Sequence, residues 1–179
     1  MRVVCADARD IPLRAHEFRE TLRMTSTRST APSTTGQPAP GALPVPADVI
    51  ARLKAAAGPD GFLEAPDDVA PYCKSWRGNW SGRAPLVLRP RTTEEVARLV
   101  KICAETRTAI VPQAGNTGLT YASQPGDGMS EVVLTVERMK AVRGIDLLND
   151  TITVEAGVIL QEIQSAAAEA NRLFPLSLG

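Results

Sequence analysis

Residues 112–119 read PQAGNTGL: two glycines three apart, an Asn and a Thr between them, and a Pro-Gln lead-in. Successive backbone N–H groups around Gly115, Asn116, Thr117 and Gly118 can form a concave nest for an anion. Glycines permit positive φ and close backbone approach, and the Asn and Thr side chains add polar contacts. That is chemistry suited to a phosphate. A lone Gly-x-x-Gly is also what an ordinary turn contains, so its position matters more than its composition. The apolar run TAIV (108–111) before it has strand character, and ligands favour the carboxyl ends of parallel strands.

Two standard phosphate loops do not fit. A P-loop needs Gly-x4-Gly-Lys-Ser/Thr, and no Lys follows Gly118. A dinucleotide fingerprint needs Gly-x-Gly-x-x-Gly opening a helix whose N-terminus faces the pyrophosphate. Here the chain continues LTYASQPGDGMS, and Pro125, Gly126 and Gly128 rule out the first turns of a helix. Whatever anion binds is held by loop amides rather than by a helix dipole.

The elements that must position this loop are legible around it. PLVLRP (85–90) reads as a short strand, TTEEVARLVKICAET (92–106) as a helix with a capping Thr and an acidic first turn, and TAIVPQ as a second strand. Val96, Leu99, Val100 and Cys103 share one face of that helix. Strand, helix, strand predicts parallel neighbours with a right-handed crossover. EVVLTV (131–136), AVRGID (141–146) and TITVEAG (151–157) follow as strands. VILQEIQSAAAEAN (158–171) is a second amphipathic helix with Ile159, Ile163 and Ala167 facing in. Upstream, ADVIARLKAAAG puts Val49, Ile50, Leu53 and Ala57 on one helical face, with Gly58 as its stop. GFLEAPDDVAPYCKSWRGNWSGRA (61–84) reads as loop, with Trp76 and Trp80 as satellite packing.

Composition bounds the rest. With 179 residues, 44% hydrophobic, and 20 basic against 20 acidic side chains, the chain reads as a globular protein. Its net charge of zero argues against a nucleic-acid partner. No run approaches the roughly 18 apolar residues of a membrane span. Cys5, Cys73 and Cys103 are odd in number, far apart and not in Cys-x-x-Cys spacing, which reads as free thiols in a reducing cytosol. A zinc site is excluded in practice, since the single histidine is His16. The Ser, Thr, Pro and Gly-rich stretch 25–46 is expected to leave residues 1–46 disordered. Asp7, Asp10, Glu17 and Glu20 argue against a transit peptide, so the expected compartment is cytoplasmic. Met24 directly precedes the stretch, and the first 23 residues are expected to be an upstream extension.

PQAGNTGL, preceded by APLVLRPRTTEEVARLVKICAE and followed by VVLTVERMKAVRGID and TVEAGVIL, resembles the FAD-binding domain of the vanillyl-alcohol oxidase and para-cresol methylhydroxylase superfamily. Within it, the sequence is most similar to the FAD-linked D-2-hydroxyacid dehydrogenases of the D-lactate, glycolate and D-2-hydroxyglutarate group. The likeness covers Arg83 to Gly179. It implies an α+β fold with a helix and loop lead-in over 47–84. The FAD-binding domain proper then spans 85–179, comprising its first βαβ subdomain and the incomplete start of the second. It also implies FAD contacts at Pro112, Gln113, Ala114, Gly115, Asn116, Thr117, Gly118 and Leu119, and further at Ser123, Gly157 and Val158. For Gly157 a plain strand-to-helix turn is the competing reading.

This chain departs from the family in places. Ala114 stands where the family usually has Gly, Tyr121 and Ala122 where it commonly has a Gly pair, and Ser177 where FPLSLG resembles the family's FPLDLG. Some members attach FAD covalently through histidine. With His16 in the expected disordered region, and the cysteines outside the positions used for such links, the resemblance implies non-covalent FAD. It also implies a D-2-hydroxy acid substrate, hydride transfer to flavin, and reoxidation by an acceptor of unidentified chemistry other than NAD. The groups that handle substrate are expected downstream of residue 179, so no catalytic residue is assigned and the chain is expected to be inactive alone. A non-flavin nucleotide-binding module and a non-catalytic remnant are the alternatives.

Overall fold

The computed structural model describes residues 2–5 and 43–177. Met1, residues 6–42, Leu178 and Gly179 lie outside the described residues, and with them the expectations placed on His16, on Met24 and on most of the 1–46 segment. The elements in chain order are β1 (Arg2–Cys5), α1 (Ala47–Ala57), β2 (Phe62–Leu63), α2 (Pro66–Val69), a 3-10 turn (Ala70–Cys73), β3 (Val87–Leu88) and α3 (Thr93–Thr106). They continue with β4 (Ala109–Gln113), β5 (Glu131–Thr135), β6 (Val142–Asp146), β7 (Thr151–Val154) and α4 (Leu160–Glu169).

The helices start and stop where local chemistry directs. Thr92 Oγ1 accepts from the Glu95 amide at 3.2 Å, and a Glu95 carboxylate oxygen accepts from the Arg91 amide at 2.7 Å. Two free donors at the start of α3 are thereby satisfied. Gly58 ends α1 at φ 75°, a conformation that costs other residues more. Of the apolar faces expected, Leu99 and Cys103 of α3, Val49 and Leu53 of α1, and Ile163 and Ala167 of α4 are buried. Val100 is exposed instead, and so is Ile159, which stands at the extended N-cap position ahead of α4.

Four strands make the first sheet, in the order β2-β3-β5-β4, with β3, β5 and β4 mutually parallel and β2 antiparallel at one edge. The expectation that β3 and β4 are neighbours is corrected: β5 lies between them. Buried Val132, Val133, Leu134 and Thr135 explain this, since β5 is the strand with most to gain from a central position covered on both faces. Leu86, Leu88, Val132 and Leu134 turn to one face, where they pack with Val49 and Leu53 of α1 and Leu99 and Cys103 of α3. Val87, Val111 and Val133 turn to the other, against Val69 and Cys73. The segment 61–84, read as loop, therefore carries β2, α2 and the 3-10 turn, and these cover the second face.

The second sheet has the order β1-β7-β6. α4 packs on it through Ile163 and Ala167, which meet Ile152, Val154 and Phe174. β1 was not foreseen: Arg2–Cys5 pair in parallel with Thr151–Val154. The disorder expected over 1–46 does not extend to these residues, whose backbone pairs along the edge of β7. It fails also at Val45, which is buried and donates its amide to the Met129 carbonyl at 2.9 Å.

Candidate functional site

The glycine loop leaves the carboxyl end of β4. Pro112, Ala114, Gly115, Asn116, Thr117, Gly118, Thr120, Ala122 and Ser123 line one shallow cavity of about 340 Å³. Most of the expected site residues are thus brought together. Gln113, Leu119, Gly157 and Val158 do not line this cavity.

Each polar side chain of the loop has a definite task, and it differs from the one expected. The positive φ values fall on Asn116 (54°) and Tyr121 (59°), not on Gly115 or Gly118. Asn is among the few side-chain residues that tolerate this left-handed conformation. Its carboxamide bonds inside the protein: Nδ2 donates to the Lys74 carbonyl at 2.9 Å, while Oδ1 accepts from Ser123 Oγ at 3.2 Å and from Gln124 Nε2. Asn116 thus fastens the loop, with one Nδ2 hydrogen left over. Buried Gln113 does the same from the strand end, donating Nε2 to the carbonyls of Tyr72 (2.9 Å) and Ser123 (2.8 Å).

These fastenings leave the backbone face of the loop open. Among the described residues, no group accepts from the backbone amides of residues 114–123. A Cβ added at Gly115 would meet nothing nearer than Thr117 Cγ2 at 3.9 Å, and one at Gly118 nothing nearer than Ser123 Oγ at 3.5 Å. Neither glycine is needed for φ or for internal packing. What their missing side chains preserve is access to the amides from outside. Ala114 has no positive φ, so its methyl group brings no backbone strain.

Gly157 behaves in the opposite way. A Cβ there would stand 2.0 Å from the Val136 carbonyl oxygen and 2.9 Å from that of Met139. Its glycine is required by close packing against the segment after β5, which is the strand-to-helix turn reading. Gly157 still connects to the loop, since the Val136 amide donates to the Gln113 carbonyl at 3.0 Å. Val158 packs against the β7 and α4 core.

Sequence reasoning missed Gln124, which is buried, donates to Ser123 Oγ at 2.9 Å, and has a side-chain oxygen without a partner among the described residues. Its only sequence signal was its place between the loop and Pro125. Tyr121 closes the far side: its hydroxyl accepts from Asn79 Nδ2 at 2.6 Å and its ring centroid lies 6.1 Å from that of Trp80. Trp80 also donates to the Pro125 carbonyl at 3.3 Å, so the satellite packing expected of the tryptophans holds for Trp80. Trp76 is exposed, with the Arg77 guanidinium 5.0 Å from its ring centroid.

Titration of the thiols follows from burial. It pushes the Cys73 thiol up, and the Cys103 thiol to about 11. Both are therefore poor nucleophiles at neutral pH. Among the described residues, no group of three or more His, Cys, Asp or Glu side chains is placed to hold a metal.

Comparison with known proteins adds the family. The pattern described as "FAD binding domain" matches residues 84–179, just over half of the chain. The chain belongs to the FAD binding domain family.

Its curated relatives include a mitochondrial protein of Schizosaccharomyces pombe named for D-lactate dehydrogenase, 35% identical over 71% of this chain and 25% of the relative. They also include D-2-hydroxyglutarate–pyruvate transhydrogenase of Saccharomyces cerevisiae, 33% identical over 64% of this chain and 23% of the relative. The chain thus spans about a quarter of the length of the curated relatives it matches. Among solved structures, p-cresol methylhydroxylase with substrate bound superposes with a TM-score of 0.62 at 26% identity, over 76% of this chain and 28% of that one. Alkyldihydroxyacetonephosphate synthase does so with the same score at 22% identity, over 72% and 26%. The fold is an incomplete para-cresol methylhydroxylase-type FAD-binding domain, and its cofactor is FAD. Among the described residues, no helix is long and apolar enough to cross a membrane.

Proposed function

We propose that this chain is the FAD-holding front part of a flavin-dependent oxidoreductase that oxidises a D-2-hydroxy acid. The observation that carries the reading is the row of unpartnered amides from Ala114 onward, presented by two glycines whose Cβ positions are free. Such a row suits the FAD pyrophosphate, whose charge would be met by backbone donors. Pro112 and Gln113 set the entry of the loop, Asn116 and Ser123 hold its shape, and Ala114, Gly115, Thr117, Gly118 and exposed Leu119 lie on its outer surface. Gly157 acts from behind, by seating the segment that bonds to Gln113, and Val158 anchors the turn after it on the β7 and α4 core.

When bound, FAD supplies the hydride acceptor for the substrate α-carbon. The part of this chain is to bind and orient. The non-covalent state fits the cysteines described: Cys73 and Cys103 are buried with raised thiol pKa values. The substrate class rests on the names of the relatives. The compartment we keep as cytoplasmic, although relatives are named mitochondrial. Import of a fluorescent fusion of residues 1–46 into mitochondria would overturn that.

The test of function is anaerobic reduction of the flavin in the enzyme completed by its downstream sequence. D-2-Hydroxyglutarate or D-lactate should bleach the flavin band while their L enantiomers do not. Bleaching by neither D acid, or equally by both hands, contradicts the substrate class.

A further inference from the structure

Four cationic side chains share one shallow basin at the same edge of the sheet as the glycine loop. Arg89 and Arg91 follow β3, Arg138 and Lys140 follow β5, and with Tyr72 and Glu137 they line about 620 Å³. Among the lining residues four cations stand against one carboxylate, and Asp60 and Glu95 are the further acids whose charges reach Arg138. Holding like charges together this way is unfavourable without a counter-charge.

The lining carboxylate offsets one of them only, since it is ion-paired with Arg89. Glu137 accepts from Arg89 Nε at 2.7 Å and from the Tyr72 hydroxyl at 2.8 and 3.0 Å. Arg138 Nη1 donates to the Arg89 carbonyl at 2.9 Å and to that of Asp60. Two guanidinium groups are thus fixed in place. Arg91 and Lys140 donate through their side chains to no group among the described residues. Burial first, then the neighbouring charges of Arg91 and Arg89, hold the Arg138 guanidinium below its usual range, so this group already feels the crowding.

We infer that this basin is a second anion site, separate from the glycine loop, for a small dianion bearing carboxylate or phosphate oxygens. Guanidinium forks match the planar or tetrahedral oxygens of those groups, and Lys140 adds a mobile charge. The carboxyl ends of parallel strands are where such folds place ligands. The inference does not depend on FAD binding.

The test titrates the 179-residue chain with inorganic phosphate and with succinate, at ionic strength held constant with sodium chloride. Arginine Nε–Hε resonances report occupancy, with and without saturating FAD. Saturable shifts at Arg89, Arg91 and Arg138 that FAD leaves unchanged are expected. A preference for phosphate or for succinate then tells which oxyanion class the site takes. Arg91→Gln and Lys140→Gln, which remove no internal hydrogen bond, should each weaken binding roughly tenfold. Shifts that do not saturate, that chloride reproduces, or that persist unweakened in the double variant overturn the proposal. So does displacement of phosphate by FAD, since the cluster would then belong to the cofactor's own diphosphate.

Discussion

Replacing both loop glycines by alanine should separate binding from stability. In Gly115→Ala/Gly118→Ala, the added methyls meet only Thr117 Cγ2 at 3.9 Å and Ser123 Oγ at 3.5 Å, and neither backbone is left-handed. Alanine at such positions is neutral or stabilises by about 0.4–1 kcal/mol through the unfolded chain. The methyls, however, would crowd the face of the loop on which we propose the pyrophosphate binds. Losing two charge-assisted hydrogen bonds at about 1.5–3 kcal/mol each weakens binding by roughly 10²–10⁴-fold.

Gly157→Ala is the control. Its methyl would sit 2.0 Å from the Val136 carbonyl oxygen, and overpacking of that kind costs about 1–3 kcal/mol, or roughly 2–12 °C in Tm. Thermal unfolding and flavin-fluorescence titration on the three proteins give the answer. An unchanged FAD affinity in the double loop variant, or a Tm loss matching that of Gly157→Ala, would refute the reasoning.

Other substitutions probe what holds the site. Asn116→Ala removes the bond to the Lys74 carbonyl and the oxygen that accepts from Ser123 and Gln124, and places alanine at φ 54°, so urea denaturation should show a loss of about 2–4 kcal/mol and FAD binding should fall with it. Thr92→Ala removes the cap of α3 and should cost about 1 kcal/mol in the same assay, with FAD affinity unchanged. Cys103, pushed up to about 11 from 9.0, holds its proton more tightly folded than unfolded. Its contribution to stability is therefore whole below pH 9.0 and lost as pH rises toward about 11. Denaturation midpoints should decline over that window, and less so in Cys103→Ala.

Much of this architecture was legible because local chemistry and fold agree. Thr92 with Glu95 announced α3, Gly58 closed α1, and the β-branched runs at 109–113 and 131–135 marked strands. Strand order was not legible, because nothing local distinguishes β5 beside β3 from β4 beside β3; the burial of β5 on both faces decides it. The short helical turns at 66–73 were hidden behind Pro66 and Pro71, which read as breakers yet sit in first turns, where proline is tolerated.

At the site, the motif drew attention to the loop but did not show how its parts are held. The glycines looked like carriers of positive φ, whereas Asn116 carries it and the glycines keep the surface bare. Asn116 and Gln113 looked like ligand contacts, yet their partners, Lys74 and Tyr72, are about forty residues away in sequence. The basic basin was invisible for the same reason: its two halves flank α3 and β4 and meet only in the folded sheet.

The central claim is that the amides of the 114–123 loop receive FAD. Titrating the ¹⁵N-labelled chain with FAD tests it most directly. The account predicts saturable amide shifts largest over Ala114–Ser123, with Gly115 and Gly118 foremost. Saturable binding whose shifts fall elsewhere, or no binding either by this chain or by the protein completed downstream, would contradict it.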